Sequence, residues 1–144
     1  MKNKAVAIIL ARGGSKRIPR KNIVDFEGAP LISYSIKAAL ASNLFDKVLV
    51  STDDEEIAKI ARQYGAEVPF LRPNELSGDF VGIADVLKHS IEYLENKGEY
   101  YNYICNIFAT APFLKKEYLI EGYNELKNSD ATYSFGVTSM PFPI

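Results

Sequence analysis

A single cysteine, Cys105, stands among the 144 residues, so no internal disulfide framework is available and the fold must rest on an apolar core. Set in an apolar run, that thiol reads as a small buried hydrophobe. Excess charge is equally scarce. The 17 Lys and Arg oppose 18 Asp and Glu for a net charge of -1, which excludes the global field that draws a protein to nucleic acid or to an anionic membrane. Any anion site must therefore be local. Long apolar runs are missing too: Ala5 to Ala11 in "MKNKAVAIILARGG" ends in charge, too short for a membrane span and unlike a signal peptide. A soluble cytoplasmic protein is expected. The one histidine, His89, lies beside the apolar stripe Ile83, Val86, Leu87, Ser90, Ile91 and Leu94, and reads as an ordinary helical residue rather than a general base. With no repeat, low-complexity tract or obvious linker, and with 47% hydrophobic residues, residues 1–144 are expected to form one domain. Such a domain buries about two-thirds of its unfolded surface.

What is present is an alternation of strand and helix patterns. "AVAIILA" and "KVLVST" read as buried strands, with amphipathic segments between them. A first helix is expected in "GAPLISYSIKAALAS", with Pro30 at the first helical position and Leu31, Ile32, Ile36, Ala39 and Leu40 on one face. The second, in "STDDEEIAKIARQYGAEV", has an Asp to cap it, Glu55 and Glu56 at its positive end, and Ile57, Ile60, Ala61 and Tyr64 as a buried stripe before Gly65. "EVPF" reads as a short edge strand, because Pro69 cannot donate to a ladder. After the irregular "LRPNELSGDFVG" come a helix in "IADVLKHSIEYLENKG", a strand in "YNYICNIFA", a helix near "KEYLIEGYNELKN" and a last strand in "ATYSFGVTS". The expected class is α/β: a Rossmann-like, mostly parallel sheet with helices on both faces. If the first three strands wind one way and the fourth lies on the other side of the first, the order reverses there. The loops "RGGSKRIPRKN" and "TAPFL" would meet at that crevice, where ligands bind in such sheets.

The first of these loops gathers Arg12, Lys16, Arg17, Arg20 and Lys21 behind Gly13 and Gly14. Glycines that let the chain turn and expose N–H groups, followed by mobile cations, suit a polyphosphate cradle. The spacing is neither the phosphate loop of the common ATPases nor the dinucleotide fingerprint. A solvated charge run is the plain alternative, and the loop's place at the expected crevice favours function. The acidic run Asp53, Asp54, Glu55 and Glu56 could hold a divalent cation, but helix capping explains it more simply. The tyrosines, Tyr100, Tyr101 and Tyr103 among them, fit strand and core packing.

Taken in order, "IILARGGSKRIPRKN", "STDDEEIA", "GAEVPFLRP", "LSGDF" and "TAPFL" resemble the acylneuraminate cytidylyltransferases, most of all the branch acting on pseudaminic acid. The resemblance covers nearly the whole chain. It implies the nucleotide-diphospho-sugar transferase fold in three layers and a reaction in which a sugar hydroxyl attacks the α-phosphate of CTP and pyrophosphate leaves. By position it makes Arg12 and Lys21 the candidate catalytic cations holding the triphosphate. Ala11, Gly13, Ser15, Lys16 and Asn22 join them in binding the nucleotide, with Arg72 at the cytosine base and Ser77 and Asp79 closing nearby. An ordinary surface ion pair is the alternative for Arg72. Phe108 and Thr110 fall at the sugar. Sialic-acid-specific members carry a glutamine where Phe108 stands, followed by Pro-Thr-Ser-Pro; a phenylalanine cannot make that hydrogen bond, which favours pseudaminic acid over sialic acid. The alternative is that Phe108 points into the core.

Members of that family continue beyond "GVTSMPFPI", so the chain is expected to be an N-terminal portion. The further part would supply a dimerisation segment and the carboxylates for the catalytic Mg²⁺, with no metal ligand in these 144 residues. The implied partners are CTP and a nine-carbon keto-acid sugar, with a homodimer at full length and neither nucleic acid nor membrane. Two other readings stay open: a nucleotidyltransferase of the same fold for another keto-acid sugar or a guanylyl donor, and a noncatalytic nucleotide-binding module.

Overall fold

The computed structural model describes residues 3–139. In chain order its elements are β1 (Ala5–Leu10), a 3-10 turn (Lys21–Ile23), β2 (Asp25–Phe26), β3 (Ala29–Pro30), α1 (Leu31–Ala41), β4 (Lys47–Ser51), α2 (Glu55–Gln63), a second 3-10 turn (Asn74–Leu76), α3 (Ile83–Asn96), β5 (Tyr103–Phe108) and α4 (Lys116–Lys127). The main sheet runs β4, β1, β5, with both pairings parallel. Leu10, the last residue of β1, lies between Ser51 and Phe108. Outside β4, Glu67 forms a parallel bridge with Leu49, its N–H donating to Val48 O at 2.8 Å. The expected "EVPF" strand is thus one bridge at the sheet edge. The order reverses between β1 and β5, the arrangement expected if β5 lies on the other side of β1 from β4.

A central parallel strand is covered on both faces, which is why β1 is apolar at every position. On one side Ala7, Ile9 and Ala11 join Val48, Val50 and Ile107 against Ile32, Ile36 and Ala39 of α1 and Ile57, Ala58 and Ala61 of α2. On the other side Val6, Ile8 and Leu49 meet Leu94 of α3. Helices therefore cover both faces of the sheet. Cys105 packs at the rim of the first cluster, and burial pushes its thiol up to about 11, as expected of an inert apolar thiol.

α2 starts where the sequence indicated: the Asp54 carboxylate accepts the N–H groups of Glu56 and Ile57, and Gly65 at φ 95 turns the chain away. Three expectations need correction. Pro30 is not the first residue of α1 but lies just before it in β3, paired with Asp25. Glu27 at φ 50 and Gly28 at φ 83 make a two-residue hairpin there, a turn that Glu-Gly signals less strongly than Asn-Gly. Leu40 is exposed rather than on the buried face of α1. Finally, residues 131–139 form no strand, and Tyr133, Phe135 and Val137 are exposed. Their alternation satisfies the period of a strand, but a strand also needs a neighbour, and no described strand pairs with this segment. Residues 140–144, with the expected Pro-containing turn, lie outside the described residues.

Candidate functional site

Past the carboxyl ends of β1 and β5 lies a cleft of about 250 Å³. The loop after β1 contributes Arg12, Ser15, Lys21 and Asn22, and the loop after β5 contributes Phe108 and Thr110. The opposite wall holds Arg72 and Asp79. Eight of the residues singled out from sequence therefore converge on one crevice.

The basic loop is tied down at several points. Gly13 N–H donates to Asp53 Oδ1 at 2.8 Å, and a Cβ at Gly13 would sit 2.7 Å from Asp54 Oδ2. Glycine serves here for close approach and not for a left-handed turn, since neither Gly13 nor Gly14 has positive φ. Buried Asn22 donates from Nδ2 to Arg12 O at 2.8 Å, closing the loop on itself. Arg20 has φ 55, a conformation that costs an L-residue about 1–2 kcal/mol. Its guanidinium forks onto Asp54, with Nη2 to Oδ1 at 3.0 Å, and also reaches Glu56. The hydrogen bond from Arg20, aided by the N–H groups of Ile57 and Glu56, holds the Asp54 carboxyl below its ordinary range against the opposing effect of burial. Among the described residues no group of three or more His, Cys, Asp or Glu side chains is arranged to hold a metal ion. Capping and loop anchoring account for Asp53, Asp54 and Glu56.

Across the cleft Asp79 accepts from Arg12 Nη1 at 2.6 Å and pairs with Lys16. Hydrogen bonds from Lys16 and then Arg12 hold its carboxyl low. Arg72 is 5% exposed, which excludes the alternative of a surface ion pair. Its Nε donates to Ser51 Oγ at 3.1 Å and its Nη2 to Ser51 O at 2.5 Å. Burial pushes its pKa down, opposed by the charge of Asp53 and reinforced by Arg12. Its own N–H donates to Thr52 O at 2.7 Å, pinning this segment to the end of β4.

Phe108 is 55% exposed in the cleft wall, not in the core; it ends β5, where its carbonyl accepts from Ser35 Oγ of α1 at 2.7 Å. Four nominated residues do not line the cleft. Ala11 is core, its N–H donating to Ser51 O; Gly13 faces Asp53 and Asp54; Lys16 is exposed and pairs with Asp79. Ser77 turns its hydroxyl to Pro73 O at 3.0 Å. His89 stays outside as well, half-buried and edge-on to Phe70 at 4.9 Å. Sequence reasoning did not assign Leu10, Leu76, Gly78 or Val81 to the walls, and read Ile83 and Val86, which also line them, only as part of a helix's apolar stripe. Of these, Leu10 carried a signal, as the last apolar residue before the loop. Arg20, Asp53 and Asp54 were noticed as charges but not as the loop's anchors.

A parallel sheet whose reversal point faces a cationic loop on one side and a buried arginine on the other defines an α/β protein with an anion-binding crevice at its switch point. Structural likeness agrees: CMP:2-keto-3-deoxy-manno-octonic acid synthetase complexed with CTP superposes with a TM-score of 0.74 at 24% identity, over 90% of this chain and 49% of that one. The chain belongs to the cytidylyltransferase family, whose model matches residues 6–140. It is 47% identical over 144 residues to the pseudaminic acid cytidylyltransferase of Campylobacter jejuni, covering all of this chain and 61% of the relative. It is 48% identical over 115 residues to N-acylneuraminate cytidylyltransferase A of Danio rerio, covering 80% of this chain and 26% of the relative. The chain thus spans about three-fifths of the length of the Campylobacter relative. No helix among the described residues is long and apolar enough to cross a membrane.

Proposed function

We propose that residues 1–144 are one nucleotidyltransferase domain of an enzyme that transfers CMP from CTP to the anomeric hydroxyl of a nonulosonic acid, pseudaminic acid in preference to N-acetylneuraminate. The sugar oxygen bonds to the α-phosphorus, the bond to the bridging oxygen breaks, pyrophosphate leaves with the electron pair, and the hydroxyl proton passes to water. One observation carries this: Arg12, Lys21 and Asn22 meet buried Arg72 in the crevice of a cytidylyltransferase-family chain. Arg12 and Lys21 lie where a triphosphate would bring charge, and cations held in place stabilise charge on a leaving pyrophosphate. Arg72 is fixed by Ser51, and suits a planar acceptor such as the cytosine carbonyl. Asp79 is the anion that Arg12 and Lys16 hold until phosphate displaces it. Phe108 and Thr110 form the sugar side. An aromatic wall favours a sugar bearing fewer hydroxyls, which is the support for pseudaminic acid, since overall identity is similar to both named kinds of relative.

Mg²⁺ belongs to the proposal through the family resemblance. Mg²⁺ usually takes one or two carboxylates together with substrate phosphates, and no step above runs through the metal. The full-length protein is proposed to be a cytoplasmic homodimer with no nucleic-acid or membrane partner. Thermal unfolding with CTP, UTP, ATP and GTP, each with and without Mg²⁺, is the test. CTP at 100 times its Kd adds about 2.7 kcal/mol of stability, and the expected result is a shift with CTP alone. Equal shifts with all four nucleotides, or none, defeat the base assignment to Arg72. Lys21→Ala is expected to weaken CTP binding about 10- to 100-fold, the range for a charge-assisted hydrogen bond, without moving the unliganded midpoint. Unchanged affinity removes Lys21 from the cradle.

A further inference from the structure

We infer that Arg20 and Asp54 are a positioning pair for Lys21, tying the cationic loop to the N-terminus of α2; the inference rests on the cleft being a triphosphate site. Of the five cations in the loop, Arg12 and Lys16 are held by Asp79, and Arg20 by Asp54 and Glu56. Among the described residues Arg17 and Lys21 make no ion pair, and of these two only Lys21 lines the cleft. Lys21 is thus the cation left over for a ligand, and what fixes its place matters most.

That place is set by the residue before it. Arg20 is the N-cap of the 3-10 turn Lys21–Ile23, and no side chain caps this turn. The turn is closed by Ile23 N–H donating to Arg20 O at 2.9 Å. Arg20 has φ 55, a backbone state that an arginine keeps only when its surroundings impose it. The imposing contact is the fork onto Asp54, with a second prong to Glu56. Asp54 is itself immobile, because the same Oδ1 accepts Glu56 N–H at 2.9 Å and Ile57 N–H at 3.0 Å, while Asp54 N–H donates to Thr52 Oγ1 at 3.1 Å. On the loop's other limb Gly13 lies against the same carboxylate. A helix cap at the edge of the core therefore holds both limbs, and the directional fork sets where the chain delivers Lys21. Arg20, with its guanidinium engaged by two carboxylates, acts through Lys21 and not on the nucleotide.

The test compares Arg20→Met, Arg20→Gly, Asp54→Asn and the Arg20→Met/Asp54→Asn double variant of the chain. Asparagine caps a helix about as well as aspartate, so Asp54→Asn removes the charge and leaves the cap. Two quantities are read: the Kd for CTP by calorimetry, and the hydrogen exchange rate of the Ile23 amide without nucleotide. Each single variant is expected to weaken CTP about 5- to 20-fold and to speed Ile23 exchange about tenfold or more, with β1 amides unchanged; charge-assisted pairs of this kind couple over that range. The double variant is expected to be no worse than the weaker single one, since the two residues act as a unit. Arg20→Gly relieves the backbone while losing the fork, so it too is expected to bind weakly. Wild-type affinity and exchange in Arg20→Gly, or strictly additive losses in the double variant, overturn the pair. A parent chain that binds no CTP, with Ile23 exchange still accelerated in the variants, overturns the triphosphate reading while the tether to Lys21 stands.

Discussion

Asp54 and Asp79 hold cations of the same loop by the same chemistry, yet from different ground. Asp54 caps α2, and its oxygens also receive two backbone N–H groups from that helix. Asp79 sits between Gly78 and a fully exposed Phe80 on a segment without regular structure, and among the described residues its carboxylate receives hydrogen bonds only from Arg12 and Lys16. Losing Arg20 leaves Asp54 its helix. Losing Arg12 and Lys16 leaves Asp79 only water, at little expense for an exposed pair. One end of the loop is therefore fixed by the scaffold, and the other is held by an anion that another anion can replace. A binding site for a highly charged ligand needs both: a frame that does not move, and a counter-charge that does.

The hardest blow to this contrast comes from Gly13→Ala, whose Cβ would press on the Asp54 carboxylate at 2.7 Å. The fixed end must shift, and a loss of about 1–3 kcal/mol is expected from overpacking, read from urea midpoints at constant slope. No loss would mean that Asp54 is as movable as Asp79. Next comes Asp54→Ala, which removes cap and fork together and is expected to cost about 0.5–2 kcal/mol from the cap alone, again by urea unfolding. Acid sharpens the same point. Both carboxyls titrate lower in the folded chain than the ordinary value near about 4. Their contribution is thus complete above that pH and is lost as pH falls through the depressed folded values. Asp54→Asn should flatten the acid limb of stability against pH, and Asp79→Asn should flatten it less; equal flattening would erase the distinction. The smallest change is expected from Asp79→Ala, with the thermal midpoint unmoved and CTP bound a few-fold more tightly because the competing anion is gone. Weaker CTP binding in that variant would make Asp79 a ligand contact instead.

Much of the scaffold could be read from the chain because it depends on local pattern. The apolar run of β1, the Asp cap of α2 and Pro69 near the sheet edge follow from residues a few positions apart. The reversal between β1 and β5 was one of the strand orders that right-handed crossovers allow, and the handedness alone does not choose it. What escaped notice depends on residues far apart. Arg20 meets Asp54 across 34 positions, and neither residue type announces such a partner. Arg72 is buried, although arginine is ordinarily exposed; its shelter comes from Ser51 and from the chain passing Thr52. Within the site, the residues that line the crevice were mostly legible as a cluster of loops. The family resemblance puts Ser77 and Gly13 at the nucleotide; in the structure the Ser77 hydroxyl donates to Pro73 O and the Gly13 N–H to Asp53, contacts that no pattern in the sequence announces. The alternation of Tyr133, Phe135 and Val137 misled for a related reason, since period alone does not provide the adjacent strand.

Asp79 has one further consequence, for the response of the cleft to ionic strength. A site that carries its own counter-anion exchanges one ion pair for another when phosphate arrives. Added salt screens the outgoing pair as well as the incoming one. Affinity should therefore fall less steeply with salt than the two cations Arg12 and Lys16 alone imply, and removing the carboxylate should restore the steeper fall. The acidic residue at the mouth of a basic cleft then acts as a buffer, keeping nucleotide occupancy steadier as the surrounding electrolyte changes.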